Sequence, residues 1–183
     1  MNEGLVRVIS GGQIGADQAA LRAARHLGLE TGGTAPKGYR TSVGSQRELL
    51  ASYGLAEGAG TGTASYVARS KKNVDDAHAT LAFRTHSSAG TDRTIGYCIS
   101  GSWERGTTVA LGASVDALSY AAPGCHRPVL VVQHMTLGAQ EAVRAFLRTH
   151  GVRVLNVAGH RAVEGEPGWE DAVEQFLIKA LAK

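Results

Sequence analysis

Leu5-Val6-Arg7-Val8-Ile9-Ser10-Gly11-Gly12-Gln13-Ile14-Gly15-Ala16-Asp17 is the stretch on which the fold turns. A short aliphatic run, interrupted at Arg7, ends in the turn signal Ser10-Gly11-Gly12. Beyond Asp17, Ala20, Ala24 and Leu27 recur at i, i+4 and i+7, the spacing of one helix face. Gly28 is placed to end that helix. The opening therefore reads strand, glycine loop, helix. Glycines let a backbone approach a ligand closely. A helix start adds free N–H groups and a positive dipole end, which together favour phosphate. The spacing Gly11-Gly12-x-x-Gly15 is not the G-x-G-x-x-G fingerprint, and no Gly-Lys-Ser/Thr follows to make a P-loop. A tight, capped βα turn without a ligand is the alternative reading of the same residues.

The alternation continues downstream. Residues 31–64 are rich in loop signals, and 58–64 read as a flexible surface loop. A helix is expected over 65–76, a buried strand over 79–83, a small-residue loop over 86–91 and a helix over 91–100. The pattern is least defined over 102–127, where 107–111 suggests a strand and 117–122 a loop. Residues 128–132 form an aliphatic strand. Ala139, Val143, Phe146 and Leu147 mark an amphipathic helix, 152–157 a further strand, and Val173, Phe176, Leu177, Ala180 and Leu181 the last helix. Strands alternating with helices imply βαβ units, hence an α/β fold with a mostly parallel sheet covered on both faces. No repeat or linker divides residues 1–183, which suit a single domain.

Composition narrows the function. Aromatics are only 5% of the chain, so its core must be built from Ala, Val, Leu and Ile, as buried parallel strands require. The net charge of +3 is spread without a Lys/Arg stripe, which argues against nucleic acid but suits a small anionic ligand. Cys98 and Cys125 are too few for a disulfide framework and read as reduced thiols. No apolar run approaches the roughly 18 residues of a membrane span, and the N-terminus lacks a signal-peptide pattern, so a cytoplasmic protein is expected. The seven histidines show no metal-binding spacing, and no G-x-S-x-G elbow is present. No metal ligand and no catalytic residue is therefore assigned.

Parallel sheets bind ligands at the carboxyl ends of their strands. Three loops leave such ends: 10–17, 86–94 and 156–161. Gly90 permits close approach, Thr91 and Thr94 offer hydroxyls, and Thr91 is also placed to cap a helix. Arg93 is a candidate partner for phosphate. Lys37, on the turn Pro36-Lys37-Gly38, and the run Arg69 to Asn73 supply further cations and an amide.

These pieces, in order, resemble one family. They are residues 9–21, Thr31-Gly32-Gly33 with Pro36-Lys37-Gly38, Asn73-Val74 before Ala79-Thr80-Leu81, Gly90-Thr91 with Thr94, and Leu155-Asn156-Val157-Ala158-Gly159. The family is that of the putative molybdenum carriers, the circularly permuted YpsA-like branch of the SLOG superfamily. The resemblance implies a Rossmann-like three-layer sandwich in which the strand that opens many relatives lies at the C-terminus, over 152–157. It implies a pterin or nucleotide-like phosphate held between glycine loops. Ser10, Gly11, Gly12, Gln13, Gly15 and Asp17 would stand on one side and Gly90, Thr91 and Thr94 on the other. Lys37, Arg69 and Asn73 would complete the site. The implied cargo is molybdenum cofactor, and the implied assembly a homodimer or homotetramer.

The phosphoribohydrolase relatives carry Pro-Gly-Gly-x-Gly-Thr-x-x-Glu. Here Thr94 stands in place of that Glu, and Ala89 in place of a glycine. A hydroxyl cannot replace a carboxylate as general acid or base near neutral pH. Ala77-His78 also replaces the Ser-Asp common before the next strand in close relatives. A binding protein is thus expected. A nucleotide hydrolase using Asp17, Asp75, Asp76 or Asp92, or a nucleotide-derivative sensor, are the rival readings.

Overall fold

A computed structural model describes residues 4–104, 115–161 and 167–182. The opening stretch folds as read, with β1 (Arg7–Ser10) running into α1 (Ala16–His26). There follow β2 (Glu30–Ala35), a 3-10 turn (Lys37–Tyr39), the hairpin β3 (Arg40–Thr41) and β4 (Gly44–Ser45), α2 (Arg47–Ser52) and β5 (Leu55–Glu57). The chain continues through α3 (Gly62–Asp75), β6 (Ala79–Phe83), α4 (Ala89–Ser100), β7 (Ala117–Tyr120) and β8 (Val129–Val132). It closes with α5 (Leu137–Thr149), β9 (Val154–Gly159) and α6 (Trp169–Leu181).

Among the described residues seven strands form one sheet in the order β5-β2-β1-β9-β6-β8-β7. All neighbours are parallel except β7, which runs antiparallel to β8 at the edge. The last strand of the chain, β9, sits in the middle. Its Asn156 is level with Ile9 of β1 on one side and Thr80 of β6 on the other. This is the displaced strand order that the resemblance implies.

Strand alternation sorts the core into two layers. On β6 and β8, Leu81, Phe83, Leu130 and Val132 face a cluster with α1, α5 and α6. Ala82, Val129 and Val131 face Val74, Ile95 and Cys98 of α3 and α4. The result is a three-layer α/β/α sandwich. Five buried alanines of α1 let that helix lie close to the sheet and to α6. The start of α1 reaches the end of β9, where a Cβ on Gly159 would stand 2.6 Å from Ala16 Cβ.

Two expectations change. Residues 31–64 hold β2, β3, β4, α2, β5 and the start of α3 rather than mainly loop. β2 escapes notice because Glu30-Thr31-Gly32-Gly33-Thr34-Ala35 has no aliphatic run. Its glycines answer to a neighbour instead, since a Cβ on Gly33 would lie 2.2 Å from Ser10 O. Residues 117–120 are a strand, β7, made by pairing with β8. The suggested strand at 107–111 lies outside the described residues.

Candidate functional site

A crevice of about 480 Å³ opens where β1, β6 and β9 end. Gln13 and Asp17 contribute from the first glycine loop, and Asn156 to Arg161 from the end of β9. One face of α3, including Tyr66, Arg69 and Asn73, forms a wall. The start of α4, with Ser88, Gly90, Thr91, Arg93 and Thr94, forms the opposite wall, and Trp103 closes one side. The three loops expected to meet do so.

Asp17 and Arg69 make the floor. They form a buried ion pair at 3.2 Å, with side chains 4% and 15% exposed. Asp17 also accepts the Gln13 N–H at 3.2 Å. Burial pushes its carboxyl above the ordinary value, against the pull of Arg69 and of the Gln13 and Gly11 N–H groups. Gly11 exists to admit Arg69: a Cβ there would stand 1.4 Å from a terminal guanidinium nitrogen.

The N-terminus of α1 is closed by protein groups. Gly15, at φ +106°, starts the helix in a conformation that suits glycine, and its N–H donates to Glu170 Oε1 at 3.0 Å. Glu170 is itself paired with Arg22 at 3.2 Å. The Ala16 N–H donates to His160 O, and Gln18 N–H to Gln13 O. Gly12, at φ +74°, lies against Leu50 and Leu55, with its N–H on Ser10 Oγ and its carbonyl accepting from Gln18. Of the six residues expected to cradle phosphate here, only Gln13 and Asp17 line the crevice. Ser10, Gly11, Gly12 and Gly15 support it from behind.

The N-terminus of α4 is different. Ser88, not Thr91, is the cap: its Oγ accepts the Thr91 N–H at 3.5 Å and the Thr91 hydroxyl at 3.1 Å. A Cβ on Gly90 would meet nothing within 4 Å. Ala89 and Gly90 occupy the first positions of the helix, whose N–H groups have no intrahelical acceptor. Thr94 donates its hydroxyl to Gly90 O at 3.1 Å, one turn back.

Two other expected residues take different places. Lys37 lies outside the main crevice, on a second cavity. Asn73 is on the wall, but its amide is committed to the backbone of Thr34, accepting from N at 2.8 Å and donating to O at 3.1 Å. Sequence reading named Arg93, but not Arg161, Tyr66 and Trp103 as site residues. Arg93 and Arg161 are exposed on the crevice. Tyr66 and Trp103 carry no sequence signal for a site, because only the tertiary fold places Tyr66 of α3 and Trp103, beyond α4, on the same crevice.

The Trp103 Nε1 and Arg69 Nε are buried and have no hydrogen-bond partner among the described residues. Arg69 Nε lies against Gly11, behind the crevice surface. His160 is saturated: its Nδ1 donates to Arg161 O at 3.0 Å, so its Nε2 accepts from Thr85 Oγ1 at 2.8 Å. Its ring stacks on Trp169 at 4.0 Å.

Of the four rival carboxylates, only Asp17 reaches the crevice. Asp92 is paired with Arg84, Asp76 with Lys72, and Asp75 with Tyr97 and His126. Both cysteines are free, and burial pushes the Cys98 thiol up to about 12, which keeps it inert near neutral pH. Among the described residues, no helix is long and apolar enough to cross a membrane.

Residues 8–110 and 108–181 match the model of the circularly permutated YpsA SLOG family. No curated protein matches the chain. The fold is similar to the crystal structure of a putative molybdenum carrier protein from Syntrophus aciditrophicus SB, with a TM-score of 0.72 and 26% identity. That similarity covers 98% of this chain and 96% of the other.

Proposed function

The chain belongs to the circularly permutated YpsA SLOG family, and from that premise we propose that it is a carrier for an anionic, phosphorylated heterocycle. The cargo is molybdenum cofactor or a related phosphorylated pterin. The observation that carries this reading is a crevice at the ends of β1, β6 and β9 that bears Arg69, Arg93 and Arg161 against a single carboxylate, Asp17, among its described residues. An anionic ligand suits that excess of positive charge. Tyr66 and Trp103 offer faces for a flat ring. The N–H groups of Ala89 and Gly90 and the dipole of α4 suit its phosphate. The structural relative named as a molybdenum carrier supports the choice of cargo.

Binding without turnover fits the chemistry of the wall. Asp17 is its one carboxylate among the described residues, and it is held by Arg69 and the Gln13 N–H. Thr94 bonds its own helix. The carrier works in the cytoplasm as a homodimer or homotetramer, with a small anionic ligand as its partner and neither nucleic acid nor membrane.

Native mass spectrometry of protein purified from its own cells, followed by thermal shift, tests the reading. The mass spectrum also reports the oligomeric state. A phosphorylated pterin at 100 times its Kd should stabilise the native state by about 2.7 kcal/mol. Stabilisation by AMP or ADP-ribose, but not by the pterin phosphate, would sink the carrier reading. Release of a free base from AMP on incubation would favour the hydrolase instead.

A further inference from the structure

Beside the main crevice lies a second cavity of about 470 Å³. The two share Tyr66, on the first turns of α3. Thr63 faces the main crevice, whereas Thr61, Gly62 and Ser65 face the second. The start of α3, residues 61–66, is therefore the ridge between them.

The second cavity is cationic. Lys37 and Arg40 line it, and both are exposed. The carboxylate on its wall, Glu57, already accepts the Gly38 N–H at 2.6 Å and Arg47 at 3.2 Å. The Gly38 N–H holds it below the ordinary carboxylate range. Lys37 also favours the ionised Glu57, so Lys37 and Arg40 against this one carboxylate, which Arg47 meets as well, leave the wall an excess of positive charge. The Lys37 N–H donates to Ser65 Oγ at 2.7 Å, which fastens this turn to the ridge. Each cavity falls in the roughly 300–1,000 Å³ range of small-molecule sites, far more than a lone phosphate needs.

We propose that the ligand has two halves joined by a pyrophosphate, a dinucleotide class rather than a mononucleotide. One half, the heterocycle, sits in the main crevice between Tyr66 and Trp103. The pyrophosphate crosses the ridge at 61–63, where Gly62 and the threonines allow close approach. Lys37 and Arg40 take its distal charge, and the second nucleoside fills the cavity behind them. This rests on the reading of the main crevice as the site of a phosphorylated heterocycle.

Two synthetic probes separate the ideas: 6-hydroxymethylpterin monophosphate, and the same phosphate condensed with AMP to a pyrophosphate. Calorimetry on the full chain should give about tenfold tighter binding for the condensed probe, the size of one further well-made charged contact. In K37A/R40A that gain should vanish, while the monophosphate binds as in the wild type. Circular dichroism and urea unfolding confirm that the variant folds. If the monophosphate binds and condensation adds nothing, or if the gain survives K37A/R40A, the two-part ligand is wrong and the crevice reading stands. If neither probe binds, both fall together.

Discussion

The loops after β1 and β6 look alike in sequence, yet one is closed and the other open. Both run from a strand through glycine into a helix. At α1 the donors are taken by the protein: Gly15 N–H by Glu170, Ala16 N–H by His160 O, Gln13 N–H by Asp17. At α4 a single serine caps the helix, and Gly90 faces empty space. A glycine can be needed because a ligand comes close, or because another part of the chain does. Gly11 admits Arg69, Gly33 admits Ser10, and Gly159 admits Ala16. Gly90, on the crevice, has no such protein neighbour.

The sharpest break of this contrast is Gly33→Ala. The new Cβ would collide with the Ser10 backbone at a φ of +119°, so both packing and backbone strain oppose it. We expect a loss of roughly 3–5 kcal/mol in urea unfolding, with little soluble protein. Wild-type stability would show that β2 slides freely past β1.

Arg69→Met comes next. It leaves Asp17 buried without its cation, which should cost about 3 kcal/mol and abolish ligand binding. Asp17→Asn/Arg69→Met should recover much of the stability but none of the binding. Asp17 also leaves a mark on pH dependence. Its native pKa lies above the ordinary 3.8, so the folded protein holds that proton more tightly than the unfolded chain. The resulting stability is fully present below 3.8 and is lost as pH rises through the native value. Asp17→Asn should flatten that part of the curve, as read by urea midpoints across acid pH. An unchanged slope would assign it to another group.

Glu170→Ala tests whether the two helix starts differ only in what covers them. Removing a charged acceptor from Gly15 N–H should cost about 1.5 kcal/mol. Millimolar phosphate should restore part of it in the variant, and the wild type should lack that extra response. No rescue would mean that the α1 terminus is closed by more than Glu170.

The smallest effect is expected at Gly90→Ala. A Cβ there meets nothing, and alanine suits a helix better, so stability should change by less than about 0.5 kcal/mol in either direction. Ligand affinity, measured by the same titration, should nevertheless fall, because the Cβ projects where the ligand's phosphate would lie. Unchanged affinity would remove α4 from the site.

The sequence by itself determined the layers of this protein. Aliphatic runs at 79–83 and 128–132 and helical spacing after Asp17 state where strands and helices must lie, because burial of such residues is a local pattern. The motif from Ile9 to Leu21, with the late Leu-Asn-Val-Ala-Gly, pointed to the permuted strand order that the sheet displays. The sequence also pointed, through the carboxyl ends of its parallel strands, to three loops that meet at one crevice. It did not reveal β2 or β7, whose residues are strands through their neighbours rather than through their own hydrophobicity. Nor did it separate the glycine loop that stays open at α4 from the one that receives Arg69, since both needs select the same residue. Lys37 fell to a second cavity and Tyr66 and Trp103 came to the first, because a side chain's neighbours are set by how helices cross. The glycines declare that something approaches closely, and only the tertiary structure says what.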